Sequence, residues 1–203
     1  MRRPDELLLA SHNPHKAREI EDLFAAEGLA IRVSSLLDLG DREEIEEDGV
    51  TLRDNALIKA LEGYRRHHRP AFADDTGLEV DCLGGAPGVF TARYAGPQCS
   101  PEDNIRKLLS EMEGVSPEQR TAAFRTVIAL VLSEKEVCFF EGRVDGRIST
   151  EKRGSEGFGY DPVFIPEGGD RTFAEMGEAE KNAISHRGRA TKQLIDFLTG
   201  LQS

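Results

Sequence analysis

Short apolar runs alternate with amphipathic stretches in the first third of the chain. Residues 7–10 predict a short buried strand. The stretch after it carries apolar residues at helical spacing and predicts a helix that ends at Gly28. A second strand is predicted at 30–33, and a helix with one apolar face at 51–64. Two strands around a helix indicate an α/β layered fold.

The rest of the chain predicts further strands and helices. A strand at 71–74 ends at the carboxylate pair Asp74-Asp75, Thr76-Gly77 predicts a turn, and the chain returns as a strand at 78–80. The other predicted elements are a loop at 84–88, a helix at 101–112, a hairpin of strands 122–132 and 137–148, a glycine-rich loop at 154–166 and a C-terminal helix with Ser185 as its N-cap. The simplest fold that combines these elements is a mixed, twisted sheet with flanking helices.

The composition is typical of a soluble globular protein. The 203 residues suit one domain, or two tightly packed lobes, and 38% of them are apolar while 31% are charged. Because the chain shows neither a membrane-length apolar stretch nor an export signal, we expect a cytoplasmic protein. The widely spaced Cys82, Cys99 and Cys138 predict reduced thiols rather than disulfides or a zinc site.

The formal net charge of −11 narrows the choice of partners. Nucleic-acid backbones require a cationic surface, so the charge argues against DNA or RNA binding. A nucleotide requires only one local cluster of cations or a metal ion. A nucleotide substrate is therefore compatible with this chain.

The segment Ser11-His12-Asn13-Pro14-His15-Lys16 follows the first predicted strand and begins the first predicted helix. Free backbone N–H groups and the positive end of the helix dipole make such a junction suitable for phosphate, and Lys16 adds a cation. The segment is not a Walker P-loop, since it lacks that glycine spacing. An ordinary capped helix is the structural alternative.

Two acidic segments provide oxygen ligands. Glu46 and Glu47 belong to the acidic run at 43–48, and the pair Asp74-Asp75 lies at the end of the strand predicted at 71–74. Mg²⁺ prefers carboxylate oxygens, and paired acids at the carboxyl end of a strand suit a metal or general-base role. A solvated face and a polar turn are the structural alternatives.

Two later segments suit recognition of a base. Phe158 and Tyr160 lie among glycines at 157–162, where an aromatic ring can stack on a base. Lys181 and the pair His186-Arg187 surround the last predicted helix start and provide donors for phosphate or a base edge. A packed loop and a basic helix start are the alternatives.

Together these segments resemble the inosine triphosphate pyrophosphatase family over nearly the whole chain. The matching motifs, in the family's order and approximate spacing, are Ser11-His12-Asn13-Pro14-His15-Lys16, Asp74-Asp75-Thr76-Gly77-Leu78, Leu83-Gly84-Gly85-Ala86-Pro87-Gly88, Ala92-Arg93-Tyr94-Ala95-Gly96, Gly157-Phe158-Gly159-Tyr160-Asp161-Pro162 and Ser185-His186-Arg187-Gly188. Two departures are small: His12 stands where many members have glycine, and Thr76 where many have serine.

The resemblance implies a fold and an activity. The fold is an elongated two-lobed α/β structure with a long central mixed β-sheet flanked by helices. Residues 1–203 would form a single domain with the active-site cleft between its two lobes. The implied enzyme is a homodimer that uses Mg²⁺ to cleave ITP, dITP and XTP between the α and β phosphates.

The resemblance also implies residue roles. Asp75 matches the proton acceptor and metal ligand, and Glu46 matches the metal-binding acid, with Glu47 as the alternative because the acidic run leaves the register open. The implied substrate-binding residues are Ser11, His12, Asn13, Pro14, His15, Lys16, Asn55, Thr76, Phe158, Gly159, Tyr160, Asp161, Lys181, His186 and Arg187.

A hydrolytic mechanism fits these residues. Asp75, with Asp74 as a second candidate, activates a water that attacks the α-phosphorus, and Lys16 and Lys181 stabilise the departing pyrophosphate. Donors from His186 and Arg187 would favour the 6-oxygen of hypoxanthine or xanthine over the amine of adenine. Two alternatives stay open: a pyrophosphatase for modified pyrimidine or methylated nucleotides, and a non-catalytic nucleotide-binding protein.

Overall fold

A computed structural model describes residues 3–201, which form seven strands and five α-helices. The strands are β1 Glu6–Leu9, β2 Arg32–Ser35, β3 Ala71–Val80, β4 Pro87–Gly88, β5 Thr121–Ser133, β6 Glu136–Ile148 and β7 Phe164–Pro166. The helices are α1 Pro14–Ala26, α2 Leu52–His67, α3 Pro101–Glu111, α4 Glu178–Ile184 and α5 His186–Gly200.

The strands form one mixed sheet in the order β2-β1-β3-β5-β6-β7, and β4 pairs with β3 beside this path. β1 is parallel to β2 and to β3, with Leu8 opposite Ala71 and Leu9 opposite Phe72. The pairs β3–β4 and β6–β7 are antiparallel. The predicted α/β class with a mixed sheet and flanking helices is confirmed.

The chain divides into two compact units, each with its own core. The first comprises the chain up to Asp75, Thr126–Gly142 and the chain from Arg187 onward; the second comprises Thr76–Arg125 and Arg143–His186. The core of the first unit includes Leu7, Leu9, Ile20, Phe24, Phe72, Leu194 and Leu198. The core of the second includes Leu78, Val80, Leu108, Met112, Phe124, Phe164 and Phe173.

Side-chain capping boxes determine where α2 and α3 begin. α2 begins after a capping box in which Thr51 and Asp54 each bind the other's backbone amide, and Ser100 and Asp103 do the same for α3. α5 begins directly after Ser185, as predicted. Within residues 3–201, no helix combines the length and the apolar character that crossing a membrane requires.

Several predicted boundaries were wrong. Thr76-Gly77 is not a turn, because β3 continues through it in extended conformation. β2 extends to Ser35 beyond the apolar residues, since Ser34 and Ser35 pair with β1. The predicted loop at 154–166 contains β7, which pairs with β6, and α4 was not predicted. In each case pairing or packing with distant residues overrides the local pattern.

Candidate active site

The predicted phosphate loop, residues 11–16, joins β1 to α1. Ser11 Oγ accepts a hydrogen bond from the Asn13 amide at 3.1 Å, and Asn13 Oδ1 accepts from the His15 and Lys16 amides at 2.9 and 3.3 Å. Asn13 is therefore the N-cap and Pro14 the first helical residue, as predicted. The junction combines the positive end of a helix dipole with an ammonium group, which favours phosphate.

Lys16 binds the first of the two predicted catalytic carboxylates. Its Nζ lies 3.1 Å from Asp74 Oδ2, and Arg187 Nε lies 3.2 Å from the same oxygen. Arg187 also forms an ion pair with Glu19, and the exposed fraction of Asp74 and Arg187 is 2% and 3%. Burial alone would raise the pKa of Asp74, but the charges of Lys16 and Arg187 outweigh it and lower this pKa. Asp74 is therefore held ionised.

Asp75 binds a different set of groups. Its Oδ1 accepts a hydrogen bond from Lys59 Nζ at 2.9 Å, and its Oδ2 accepts one from Asn55 Nδ2 at 3.3 Å. Lys59 Nζ also donates to Glu47 Oε2 at 2.9 Å, so one ammonium joins two carboxylates. Burial raises the pKa of Asp75, although Lys59 acts in the opposite direction. Asp74 thus stays ionised, whereas Asp75 takes up a proton more readily.

The carboxylates suited to a metal are Glu47 and Asp75. Both approach one ammonium nitrogen, Lys59 Nζ, whereas the Glu46 side chain is exposed. Mg²⁺ typically takes one or two protein carboxylates and completes its shell with water and phosphate oxygens. Among residues 3–201, no three or more His, Cys, Asp and Glu side chains are grouped to hold a metal. This donor set fits a cation that shares its ligands with a bound phosphate.

Lys59 and Glu19 also belong to the site, although neither was among the predicted residues. Lys59 lies four residues after Asn55, so both polar side chains share the buried face of α2 with Ala56. Glu19 is likewise buried on α1, beside Ile20. A charged residue at a buried position of a helix is the signal that identifies both, because such a residue requires a partner.

In the second unit, predicted residues converge on Asp161. Its Oδ2 accepts hydrogen bonds from the Phe158 amide and from Lys181 Nζ, both at 2.8 Å. The Lys181 ammonium also lies 5.0 Å from the centroid of the Phe158 ring, within the range of a cation–π interaction. The backbone and the ring of Phe158 are therefore both tied to this buried ion pair.

The core of the second unit orients two further predicted residues. The His186 ring stacks on Phe124, with centroids 4.5 Å apart and an interplanar angle of 16°. The Tyr160 hydroxyl donates to the Thr91 carbonyl at 3.1 Å, which gives Tyr160 a structural contact. Thr76 is half-buried on β3 directly after Asp75.

The structure thus groups the predicted residues within two separate units. The first unit contains Ser11, His12, Asn13, Pro14, His15, Lys16, Glu46, Glu47, Asn55, Asp74, Asp75 and Arg187, and the second contains Thr76, Phe158, Gly159, Tyr160, Asp161, Lys181 and His186. The contacts above join Lys16, Asp74 and Arg187 in one cluster and Glu47, Asn55 and Asp75 in another.

Gly157 provides a test of the Asp161 cluster. A Cβ atom at Gly157 would lie 2.2 Å from Asp161 Oδ2, and its φ of +72° is unfavourable for other residues. We expect Gly157→Ala to lower the free energy of unfolding in urea by about 2–4 kcal/mol, from backbone strain and overpacking together. Gly159→Ala is the matched control, because its φ is +61° but its Cβ meets no atom within 4 Å. Equal losses in the two variants would contradict the role given to the contact with Asp161.

Comparison with known proteins gives consistent matches over nearly the whole chain. The sequence model of the Ham1 family matches residues 7–197. A dITP/XTP pyrophosphatase of Porphyromonas gingivalis is 50% identical over 96% of this chain and 97% of its own length. A dITP/XTP pyrophosphatase of Bacillus subtilis is 45% identical over 95% and 96%, respectively. The solved structure of a HAM1 protein from Coxiella burnetii superposes with a TM-score of 0.86 at 41% identity, over 96% of this chain and 98% of that one.

Proposed function

Because this chain belongs to the Ham1 family, we propose that it is a nucleoside triphosphate pyrophosphatase for noncanonical purine nucleotides. It hydrolyses dITP, XTP and ITP to the nucleoside monophosphate and pyrophosphate, and so removes deaminated purines from the nucleotide pool. The relatives named as dITP/XTP pyrophosphatases support the substrate class. The alternatives to this proposed function are a pyrophosphatase for modified pyrimidine or methylated nucleotides and a non-catalytic nucleotide-binding protein.

The observation that carries the proposal is the pair of neighbouring aspartates with different environments. Asp74 is fixed between Lys16 and Arg187, whereas Asp75 has a raised pKa and contacts Lys59. A protein that only binds a nucleotide has no need of a carboxylate suited to accept a proton beside a phosphate loop. A hydrolase requires one.

Asp75 acts as the general base in this proposal. It accepts a proton from a water molecule whose oxygen attacks the α-phosphorus, and the bond from that phosphorus to the α,β-bridging oxygen breaks. Pyrophosphate leaves with the electrons of that bond. Lys16 and the positive end of the α1 dipole offset the charge of the triphosphate, and Lys181 is a further candidate cation.

Mg²⁺ is proposed as the cofactor, held by Asp75 and by Glu47, with Glu46 as the other candidate from the acidic run. When bound, it would neutralise phosphate charge and polarise the phosphorus centre. Lys59 holds the carboxylates of Glu47 and Asp75 near each other through its two hydrogen bonds. Removing either carboxylate therefore affects the orientation of the other.

Base recognition is assigned to Phe158, His186 and Arg187. The Phe158 ring stacks on the purine, and a donor from His186 binds the 6-oxygen, which adenine lacks. Arg187 is the second candidate donor, but its contacts with Asp74 and Glu19 also give it a role in holding the catalytic carboxylates.

We further propose a cytoplasmic homodimer, which light scattering would detect as twice the mass of one chain.

Release of pyrophosphate from dITP, XTP, ITP, GTP and ATP, with Mg²⁺ and with EDTA, tests the proposed function. We expect rapid release from the first three nucleotides, at least about 100-fold slower release from ATP because a donor would face its amine, and loss of activity in EDTA. Orthophosphate as the product, or a preference for pyrimidine or methylated nucleotides, would contradict the proposal. Binding without turnover would instead indicate a nucleotide-binding protein.

A further inference from the structure

Residues 41–49, here called the acidic segment, lack regular secondary structure between β2 and α2. The segment contains six carboxylates and one arginine, and repulsion among them favours expanded conformations. Glu47 nevertheless has a defined position beside Lys59. Contacts from outside the segment must therefore hold it.

Residues of α2 hold the C-terminal part of the acidic segment. Lys59 Nζ binds Glu47 Oε2 at 2.9 Å, and Asn55 Oδ1 accepts a hydrogen bond from the Gly49 amide at 2.9 Å. Lys59 and Asn55 both bind Asp75 as well. The position of this part of the segment is thus linked directly to the catalytic carboxylate.

Asp41 anchors the other end of the acidic segment. Its carboxylate accepts hydrogen bonds from the Glu43 amide at 3.0 Å and from His67 Nε2 at 2.8 Å. Its backbone carbonyl lies 3.1 Å from His12 Nε2. A carbonyl oxygen can only accept a hydrogen bond, so Nε2 of His12 carries the proton.

We propose that His12 is a positioning residue that couples the phosphate loop to the acidic segment. Through Asp41, the loop that receives the triphosphate also restrains the segment that carries Glu47. Ordering of the phosphate loop therefore favours ordering of the acidic segment, and the reverse, so His12 acts on the position of Glu47. The inference rests on the proposed function, because only a hydrolase that uses a divalent cation benefits from this coupling.

The test compares wild type with His12→Ala and His12→Gln. Hydrogen–deuterium exchange measures protection of the amides at 41–49, and dITP turnover gives the Mg²⁺ concentration for half-maximal rate. Loss of one hydrogen bond predicts about 3–10-fold faster exchange and a similar rise in that Mg²⁺ concentration for His12→Ala. The KM for dITP should change less than the Mg²⁺ requirement. His12→Gln, whose amide can donate to the same carbonyl, should restore both values.

His68→Asn is the matched control, since it removes an exposed imidazole and asparagine tolerates the left-handed backbone at that position. It should leave exchange at 41–49 and the Mg²⁺ requirement as in wild type. Unchanged exchange in His12→Ala would overturn the inference, as would a raised KM without any change in the Mg²⁺ requirement. If the wild type shows no Mg²⁺-dependent turnover, the proposed function fails, while the exchange data still decide whether His12 restrains the segment.

Discussion

Replacing Asp75 with asparagine should lower kcat for dITP by about 10²–10⁴-fold, the range typical of a lost general base. Asparagine keeps the shape of the side chain and a group that can bind Lys59 or Asn55, so we expect the protein to remain folded. Steady-state kinetics of the purified variant measures the loss in kcat, and circular dichroism checks that the variant is folded. Asp22→Asn, an exposed position on α1, is the control and should have wild-type kinetics.

The pH dependence of the same reaction gives Asp75 a second signature. A protonated carboxyl group cannot accept a proton, so kcat of the wild type should fall as the pH decreases through the pKa of Asp75. Burial raises this pKa in the metal-free protein, whereas a bound Mg²⁺ would lower it, so the fall should move to lower pH as the Mg²⁺ concentration increases. The residual activity of Asp75→Asn should lack this acid limb. A wild-type acid limb retained in the variant would assign it to another group.

Replacing Arg187 with methionine should lower the free energy of unfolding by about 3–5 kcal/mol, because it leaves two buried carboxylates, Asp74 and Glu19, without their shared guanidinium. Urea denaturation at neutral pH measures the loss. Arg143→Met is the matched control: it removes the ion pairs of a half-exposed arginine with Asp145 and Glu79, and each such pair contributes about 0–1 kcal/mol. A loss no larger than that of the control would contradict the role assigned to Arg187.

The stability difference between wild type and Arg187→Met should narrow as the pH falls. In the wild type the pKa of Asp74 is lowered by folding. The ionised carboxylate therefore stabilises the folded protein at pH values above the unfolded-state pKa of about 3.9, and this stability is lost as the pH falls through the folded-state pKa. Without Arg187, the buried carboxylates take up protons at higher pH, and neutral carboxyl groups carry a smaller burial penalty. Urea denaturation of both proteins at several pH values between 7 and about 4 tests whether the stability difference narrows.

Local patterns in the sequence were sufficient for the parts of the site that depend on adjacent residues. The order Asn13-Pro14 predicts the start of α1, because an N-cap and the first helical proline act only on the following turn. The long β-branched and apolar run at 122–132 predicts β5, and the alternation at 137–148 predicts β6, because each satisfies a strand pattern over many residues. The resemblance to the inosine triphosphate pyrophosphatase family rests on such short motifs, and the Ham1 family match agrees with it.

Tertiary structure alone decided which charges meet. Asp74 and Asp75 are neighbours in sequence, yet one binds Lys16 and Arg187 and the other binds Lys59, because adjacent residues of a strand point to opposite faces of the sheet. The sequence leaves Glu46 and Glu47 equivalent within an acidic run, and only the fold brings Glu47 to Lys59 while Glu46 remains exposed.

The contrasting environments of the two aspartates depend in the same way on residues far apart in the chain. Arg187 follows Asp74 by 113 positions, and Lys16 precedes it by 58, so no local pattern reveals that both charges act on one carboxylate. Burial and long-range charge determine a pKa, and both arise only when distant segments pack. The sequence therefore determined the chemical groups and the helix and strand patterns, whereas folding determined the partner and the pKa shift of each aspartate.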